Sequence, residues 1–312
     1  MKNRQSFLVS RYDGKPDGVL RGYDMHGAGS RVTAIAVLLI CVAIIVVVVF
    51  PIVWIILAGF KDIREFQRSM KILPQSFSLD GYFQSWEQLK FGKYYLNSLI
   101  IAAGGSLCAV LFNGLLAYVL GVIRPRGWKI VYGLVMWTLL IPPTTSVVAQ
   151  VVNIHNLLNW VGGVLHIDVA QSIFPIIPLW LIMGANAFWL VLFKEFFESL
   201  PRDYTEAAQL DGCSGFGIFM RIILPLSRPI VMVIVIFSVT AAWSDFLLPN
   251  LLLNNGPWET VMVRLFEFRS TIKVNDVDKI HAVVFSIIPP IVLFALFQKQ
   301  ITNGITTGGI KG

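Results

Sequence analysis

The chain has 312 residues, of which 56% are hydrophobic and only 14% charged, and its mean hydropathy is +0.71. A soluble domain carries about 25% charged residues, so this shortfall excludes an ordinary soluble globule and places the chain in the membrane class. The net charge of +7 then reads as bases flanking membrane spans rather than as a nucleic-acid footprint. Cys41, Cys108 and Cys213 lack the spacing of a disulfide framework or a zinc site.

Residues 1–31 are polar, Gly-rich and basic, with no apolar core near the start, and are expected to form a cytoplasmic tail. Region 32–93 begins with a charge-free run from Val32 to Phe60, longer than the ~20 residues a helix needs to cross a bilayer. Pro51 is expected to kink or end it. Residues 61–93 are too charged to cross. Their aromatics (Tyr82, Phe83, Trp86, Phe91) need packing partners or a membrane surface, so an ordered outer loop is expected.

The core, 94–300, opens with a second span from Tyr94 to Ile123, rich in small residues such as Gly104, Gly105 and Gly114 that let helices approach closely in lipid. A basic turn carries Arg124, Arg126 and Lys129. From Ile130 to Phe193 there is no Lys or Arg, a length too great for one helix. The polar stretch Asn153 to Asp168 is predicted to split it into a third and a fourth span. A loop at 194–228 follows, then a fifth span to about Phe246 and a polar stretch from Asn254 to Lys279. Ile280 to Gln298, with Pro289-Pro290 inside, makes a sixth span, and 301–312 forms a second cytoplasmic tail. The expected fold is all-α, a polytopic membrane protein with six transmembrane helices.

Six crossings put both tails on one side. With the tails inside, fifteen Lys and Arg lie on the cytoplasmic side against ten outside, and the positive-inside rule favours that orientation. The Arg124 turn and the 194–228 loop are then cytoplasmic too.

That loop organises the chain. Between Leu200 and Pro229 charges of both signs return amid long apolar segments. Tyr204 to Leu210 are good helix formers. Asp211-Gly212 supplies a helix stop. A second apolar run (Phe216, Phe219, Met220, Ile222, Ile223, Leu224) lasts until Pro225 and Pro229. A bent pair of short helices outside the membrane is predicted, an apolar ridge for another protein to grip.

Glu206-Ala207-Ala208, Asp211-Gly212 and Ile223-Leu224-Pro225 resemble the EAA loop of permease subunits in binding-protein-dependent ABC importers. The flanking text is similar to the carbohydrate-uptake branch, near the smaller maltose-type permease subunit. Asn97-Ser98-Leu99, Trp243-Ser244-Asp245-Phe246 and the tail Gly309-Ile310-Lys311-Gly312 agree with it. The resemblance covers roughly Tyr94 to Gly312; Cys213 stands where the family usually has Ala. It implies a type I ABC importer permease fold in a bacterial inner membrane. It also implies a second permease subunit, two ATPase subunits, an extracytoplasmic solute-binding protein and a sugar substrate. Tyr204, Glu206, Ala207, Ala208, Asp211, Gly212 and Pro225 become the ATPase-coupling residues. Ala207 and Ala208 would be small enough for a socket, Glu206 would meet a base, and Gly212 would allow the sharp exit. The Gly-rich tail resembles tails that reach into the ATPase pair.

The residues exclude a motor or catalyst of the chain's own. No GxxxxGK[ST] phosphate loop occurs, so no cofactor is expected on this chain and ATP-Mg would sit on a partner. His26, His155, His166 and His281 lie in separate segments without metal-site spacing. Asp245 is the acid nearest a membrane interior, where a substrate or proton site competes with plain interfacial hydrogen bonding. Polar residues within spans (Asn97, Asn113, Thr138, Thr144, Thr145, Asn186, Ser238, Thr240, Ser244) either line a path or join helices. The alternative reading is a self-contained secondary transporter or channel, which requires paired ionisable groups at mid-membrane.

Overall fold

The computed structural model describes residues 28–69, 71–270 and 274–308; the expected first tail falls largely outside that range. Every regular element among the described residues is helical. The chain divides into two units, 1–57 and 58–312, each described by itself. Helix α1 (Ala28–Ala58) has a mean hydropathy of 3.5 over Val32–Ala58, ample for a crossing. Pro51 lies inside it and does not end it.

In the second unit the 61–93 segment is ordered into α2 (Ile63–Arg68) and α3 (Asp80–Gln88). Asp62 caps α2 by accepting from Arg64 N–H. The aromatics find one another. Trp86 meets Phe285 edge-on at 5.0 Å, Phe91 lies 5.2 Å from Phe285, and Tyr82 lies 5.2 Å from Phe60. Burial pushes the Tyr82 phenol up to about 12. Beside it Ser85 donates to Gly81 O at 2.9 Å and stands 2.6 Å from both Asp278 Oδ1 and His281 Nδ1. His281 Nε2 reaches Gly59 O at 2.6 Å. These contacts fix α3 to the long last helix.

Helix α4 (Phe91–Ile123) is continuous but carries π turns at Ala109–Asn113 and Val119–Ile123. After the Arg124 turn come α5 (Trp128–Thr138) and α6 (Pro143–Leu165). Helix α6 runs straight through the predicted interruption. Asn153, Asn156 and Asn159 are exposed on its surface, so they break the run of apolar residues without breaking the helix; the stop is His166, at φ 55°. Helices α7 (Ile177–Gly184) and α8 (Ala187–Glu198) form a single bent crossing with a 46° break. Helix α9 (Asp203–Leu210) and α10 (Gly215–Leu226) follow. Helix α11 (Arg228–Ser244) leaves α10 at 85°. Then come α12 (Leu247–Leu253), α13 (Val261–Ser270) and α14 (Asp276–Gly308). Helix α14 absorbs most of the expected second tail.

By length and composition three described helices are able to cross a membrane, or five counting each bent pair as one. The α5–α6 pair falls short of that measure; counted as the third crossing the sequence expects, it makes α7–α8 the fourth. Among the described residues, two hydrophobic clusters pack the second unit. One joins Ala117 and Leu120 of α4 to Phe193 and Phe197 of α8, Ala208 of α9, Phe219 of α10 and Ile234 of α11. The other joins Ile101 of α4 to Leu179 of α7 and Leu253 of α12. Close approach of α4 and α7 depends on glycine: a Cβ on Gly184 would sit 2.6 Å from the Phe112 ring and 3.3 Å from Cys108 O.

Candidate docking surface at the Asp211-Gly212 turn

Helix α9 is short, and its two ends explain why it stands where it does. Asp203 and Glu206 lie in its first turn, where negative charge offsets the exposed N–H groups. At the other end Gly212 takes φ 77°. Its N–H donates to Gln209 O, and Cys213 N–H donates to Ala208 O, each at 3.0 Å. These are the paired bonds of a Schellman stop, which needs a left-handed residue. A Cβ at 212 would meet nothing within 4 Å, so glycine is required by backbone conformation and not by lack of room. Ser214 restarts the chain: its Oγ accepts from Gly217 N–H at 3.1 Å and caps α10.

The faces of α9 differ sharply. Thr205 and Ala208 are buried, Ala208 within the larger hydrophobic cluster. Tyr204, Glu206, Ala207 and Leu210 are exposed; Leu210, at 89%, is the most exposed large apolar side chain among the described residues. Phe216, Met220 and Leu226 carry exposed apolar surface along α10. Of the seven predicted residues, Tyr204, Glu206 and Ala207 face outward on α9 and Asp211 and Gly212 form its exposed exit. Ala208 turns into this chain's own core. Pro225 is exposed at the far end of α10, just before the right-angled turn.

Sequence reasoning missed what lies behind α9. Helix α8 extends to Glu198, so Lys194 is not in a loop but buried, its side chain 6% exposed. Lys194 Nζ lies 2.9 Å from Glu198 Oε1, and Arg124 reaches the same oxygen at 2.7 Å. The Tyr132 ring covers the ammonium at 4.5 Å, and Arg124 stacks over Trp128 at 5.4 Å. The i,i+4 spacing of Lys194 and Glu198 was the available signal. Between this group and α9 lies a cavity of about 250 Å³, lined by Arg124, Glu198, Arg202, Glu206 and Gln209 among others.

The polar residues within spans sort themselves. Asn97 donates to Pro257 O and Glu259 O, and Ser238 bonds Ser106; both join elements. Thr138 and Thr145 bond carbonyls three residues back. Asn113 and Asn186 meet at the α7–α8 break. Asp245 follows α11 and accepts from Leu247 N–H at 3.1 Å, the geometry of a cap. No group of three or more potential metal ligands occurs among the described residues.

The described residues thus make a helical, multi-pass chain with an ordered, exposed helix–turn–helix between α8 and α11. The chain belongs to the family of binding-protein-dependent transport system inner membrane components, whose profile matches residues 113–307. It is a transport component, not an enzyme. The galactooligosaccharides transport system permease protein GanQ of Bacillus subtilis is 31% identical over 283 residues, covering 86% of this chain and 92% of that one. The diacetylchitobiose uptake system permease protein NgcG of Streptomyces coelicolor is 27% identical over 271 residues, 85% of each. A chain in the crystal structure of a bacterial ABC transporter importing the acidic polysaccharide alginate superposes with a TM-score of 0.75 at 20% identity. That match covers 88% of this chain and 98% of that one. The type I ABC importer permease fold is therefore shared.

Proposed function

We propose that this chain is one of two permease subunits of an ATP-driven importer and forms half of the path for a sugar or oligosaccharide. The substrate class rests on the relatives named for oligosaccharide uptake. Helix α9 seats in a cleft on an ATPase subunit, with Ala207 at the contact, Glu206 meeting a base and Gly212 turning the chain out. ATP-Mg is held by the ATPase pair, and closure of that pair pushes on α9 and rocks the spans between inward- and outward-open arrangements. A solute-binding protein delivers the sugar from outside, and both tails are cytoplasmic by the positive-inside count.

The observation that carries the reading is the division of α9: Thr205 and Ala208 anchor it while Tyr204, Glu206, Ala207 and Leu210 are presented outward. An element so placed transmits force from whatever holds its outer face to the core beneath. The test is site-directed crosslinking from Ala207→Cys in a chain whose three native cysteines are replaced. Capture of the ATPase subunit is expected. Labelling of that cysteine by an impermeant thiol reagent from the external medium would sink the proposal.

A further inference from the structure

We propose that Asn113 is the positioning residue of a hinge at Ala185–Asn186 through which a push on α9 reaches the remainder of the fourth crossing. The proposal rests on the coupling role of α9 argued above and goes beyond it by naming where the motion is taken up.

Three observations meet at one level of the bundle. The first is the 46° break between α7 and α8. There Ala185 takes φ −113° and ψ 41°, and Asn186 is extended. A break strands backbone groups that lipid cannot satisfy. Asn113 satisfies them from both sides: its Nδ2 donates to Met183 O at 3.0 Å, and its Oδ1 accepts from Asn186 N–H at 2.9 Å. The remaining Nδ2 proton goes to Ala109 O at 2.8 Å. The amide is 1% exposed, so one side chain braces both halves of the bent crossing and has no spare donor.

The second observation is that Asn113 closes the π turn Ala109–Asn113 of α4. Such a turn widens the helix locally and aims a side chain that a regular α-helix would place elsewhere. Irregular backbone thus occurs in two packed crossings at the same height.

The third is that the hydrophobic clusters divide here. Helices α8, α9 and α10 share a cluster with the second half of α4, whereas Leu179 and Trp180 of α7 pack with the first half and with α12; Met183, at the end of α7 beside the break, touches the larger cluster. The element that would receive the stroke belongs to one body, and α7 up to Met183 belongs to the other. Within the fourth crossing itself, the braced break is the join between them. A packed body moves as a unit, so the bend is taken up where the packing changes hands.

The test uses the assembled importer, in lipid nanodiscs for label distances and in proteoliposomes for uptake, with Cys41, Cys108 and Cys213 replaced by serine. Spin labels at Leu181 and Glu195, both exposed, straddle the break. In the unaltered chain a non-hydrolysable ATP analogue is expected to shift the label distance. Asn113→Leu should broaden the distance distribution and abolish the shift. Uptake of labelled galacto- and arabino-oligosaccharides per ATP hydrolysed should fall about tenfold, as expected for loss of a buried, fully used amide, while hydrolysis continues. Asn113→Asp keeps the shape and the acceptor for Asn186 N–H but loses the amide donors; an intermediate loss of coupling is expected, and this variant decides the matter if the leucine chain does not insert. A merely structural role would lower yield or stability without changing uptake per ATP. A label distance indifferent to nucleotide in the unaltered importer overturns the hinge, as does unchanged uptake per ATP in the aspartate variant. Failure of the unaltered chain to assemble with any ATPase overturns the coupling reading and the hinge with it. A complex that assembles and transports with a rigid break overturns the hinge alone.

Discussion

Lys194 and Glu198 stand one turn apart on α8 with Nζ and Oε1 at 2.9 Å, and Arg124, from the turn after α4, closes on the same carboxylate oxygen at 2.7 Å. A lysine with 6% of its side chain exposed would be costly to desolvate alone. Here the carboxylate and the Tyr132 ring take the place of water. The pair fixes the end of α8, the segment that leads directly into α9.

Breaking that pair from its two sides should have unequal effects. Glu198→Gln leaves the Lys194 ammonium buried without its counter-ion and is expected to cost about 2–3 kcal/mol, at the low end for a buried pair because Glu198 is partly exposed. Lys194→Met removes the buried charge itself and should cost less. Thermal unfolding of the detergent-purified chain would rank the two, and equal losses would refute the argument.

At Gly212 the requirement is a left-handed backbone, not space. Gly212→Asn should retain most transport, since asparagine visits that region at small cost, whereas Gly212→Val should abolish it, with membrane insertion unaffected in both. The conformational penalty for an ordinary L residue is about 1–2 kcal/mol and higher for a β-branched one. Equal loss in uptake assays of the two variants would assign the glycine to a tight contact with a partner instead.

The adjacent alanines should separate folding from docking. Ala208→Leu overfills the cluster behind α9 and is expected to destabilise the chain by about 1–3 kcal/mol. Ala207→Leu, on the exposed face, should change stability by no more than about 0.5 kcal/mol yet prevent co-purification with the ATPase subunit. Melting temperature and pull-down, measured on both variants, form the check.

Glycines between α4 and α7 should not be equally replaceable. A Cβ on Gly105 would meet the Met183 sulfur, near the end of a flexible, unbranched side chain. A Cβ on Gly184 would meet an aromatic ring and a backbone carbonyl. Gly184→Ala should therefore lower the melting temperature more than Gly105→Ala, despite the longer nominal contact.

The helix–turn–helix of α9 and α10 was legible in the residues because its determinants are local. Helix formers from Tyr204, a glycine stop at 212 and a second apolar run each act within a few positions, and α9 and α10 fall where that pattern puts them. Features that depend on distant residues were not legible. The break before Asn186 carries no proline and is held by a side chain from another crossing. The Asn153–Asp168 stretch was expected to interrupt a helix, but polarity marks which surface a helix exposes, not where its backbone ends. Lys194 was assigned to a loop because charge normally marks a span's end; its burial depends on Glu198, Arg124 and Tyr132, two of them from other elements.

The Schellman stop at Gly212 also governs how recognition would proceed. The knuckle between α9 and α10 has its hydrogen bonds closed and its left-handed residue set within this chain, so a docking subunit meets a finished shape. Little conformational entropy then remains to be lost on association. Binding should lack the large unfavourable ordering entropy and the outsized heat-capacity change of coupled folding. The affinity of the knuckle would follow from the fit of surfaces already formed, and a short peptide of the same sequence, free to unwind, would be a poor competitor.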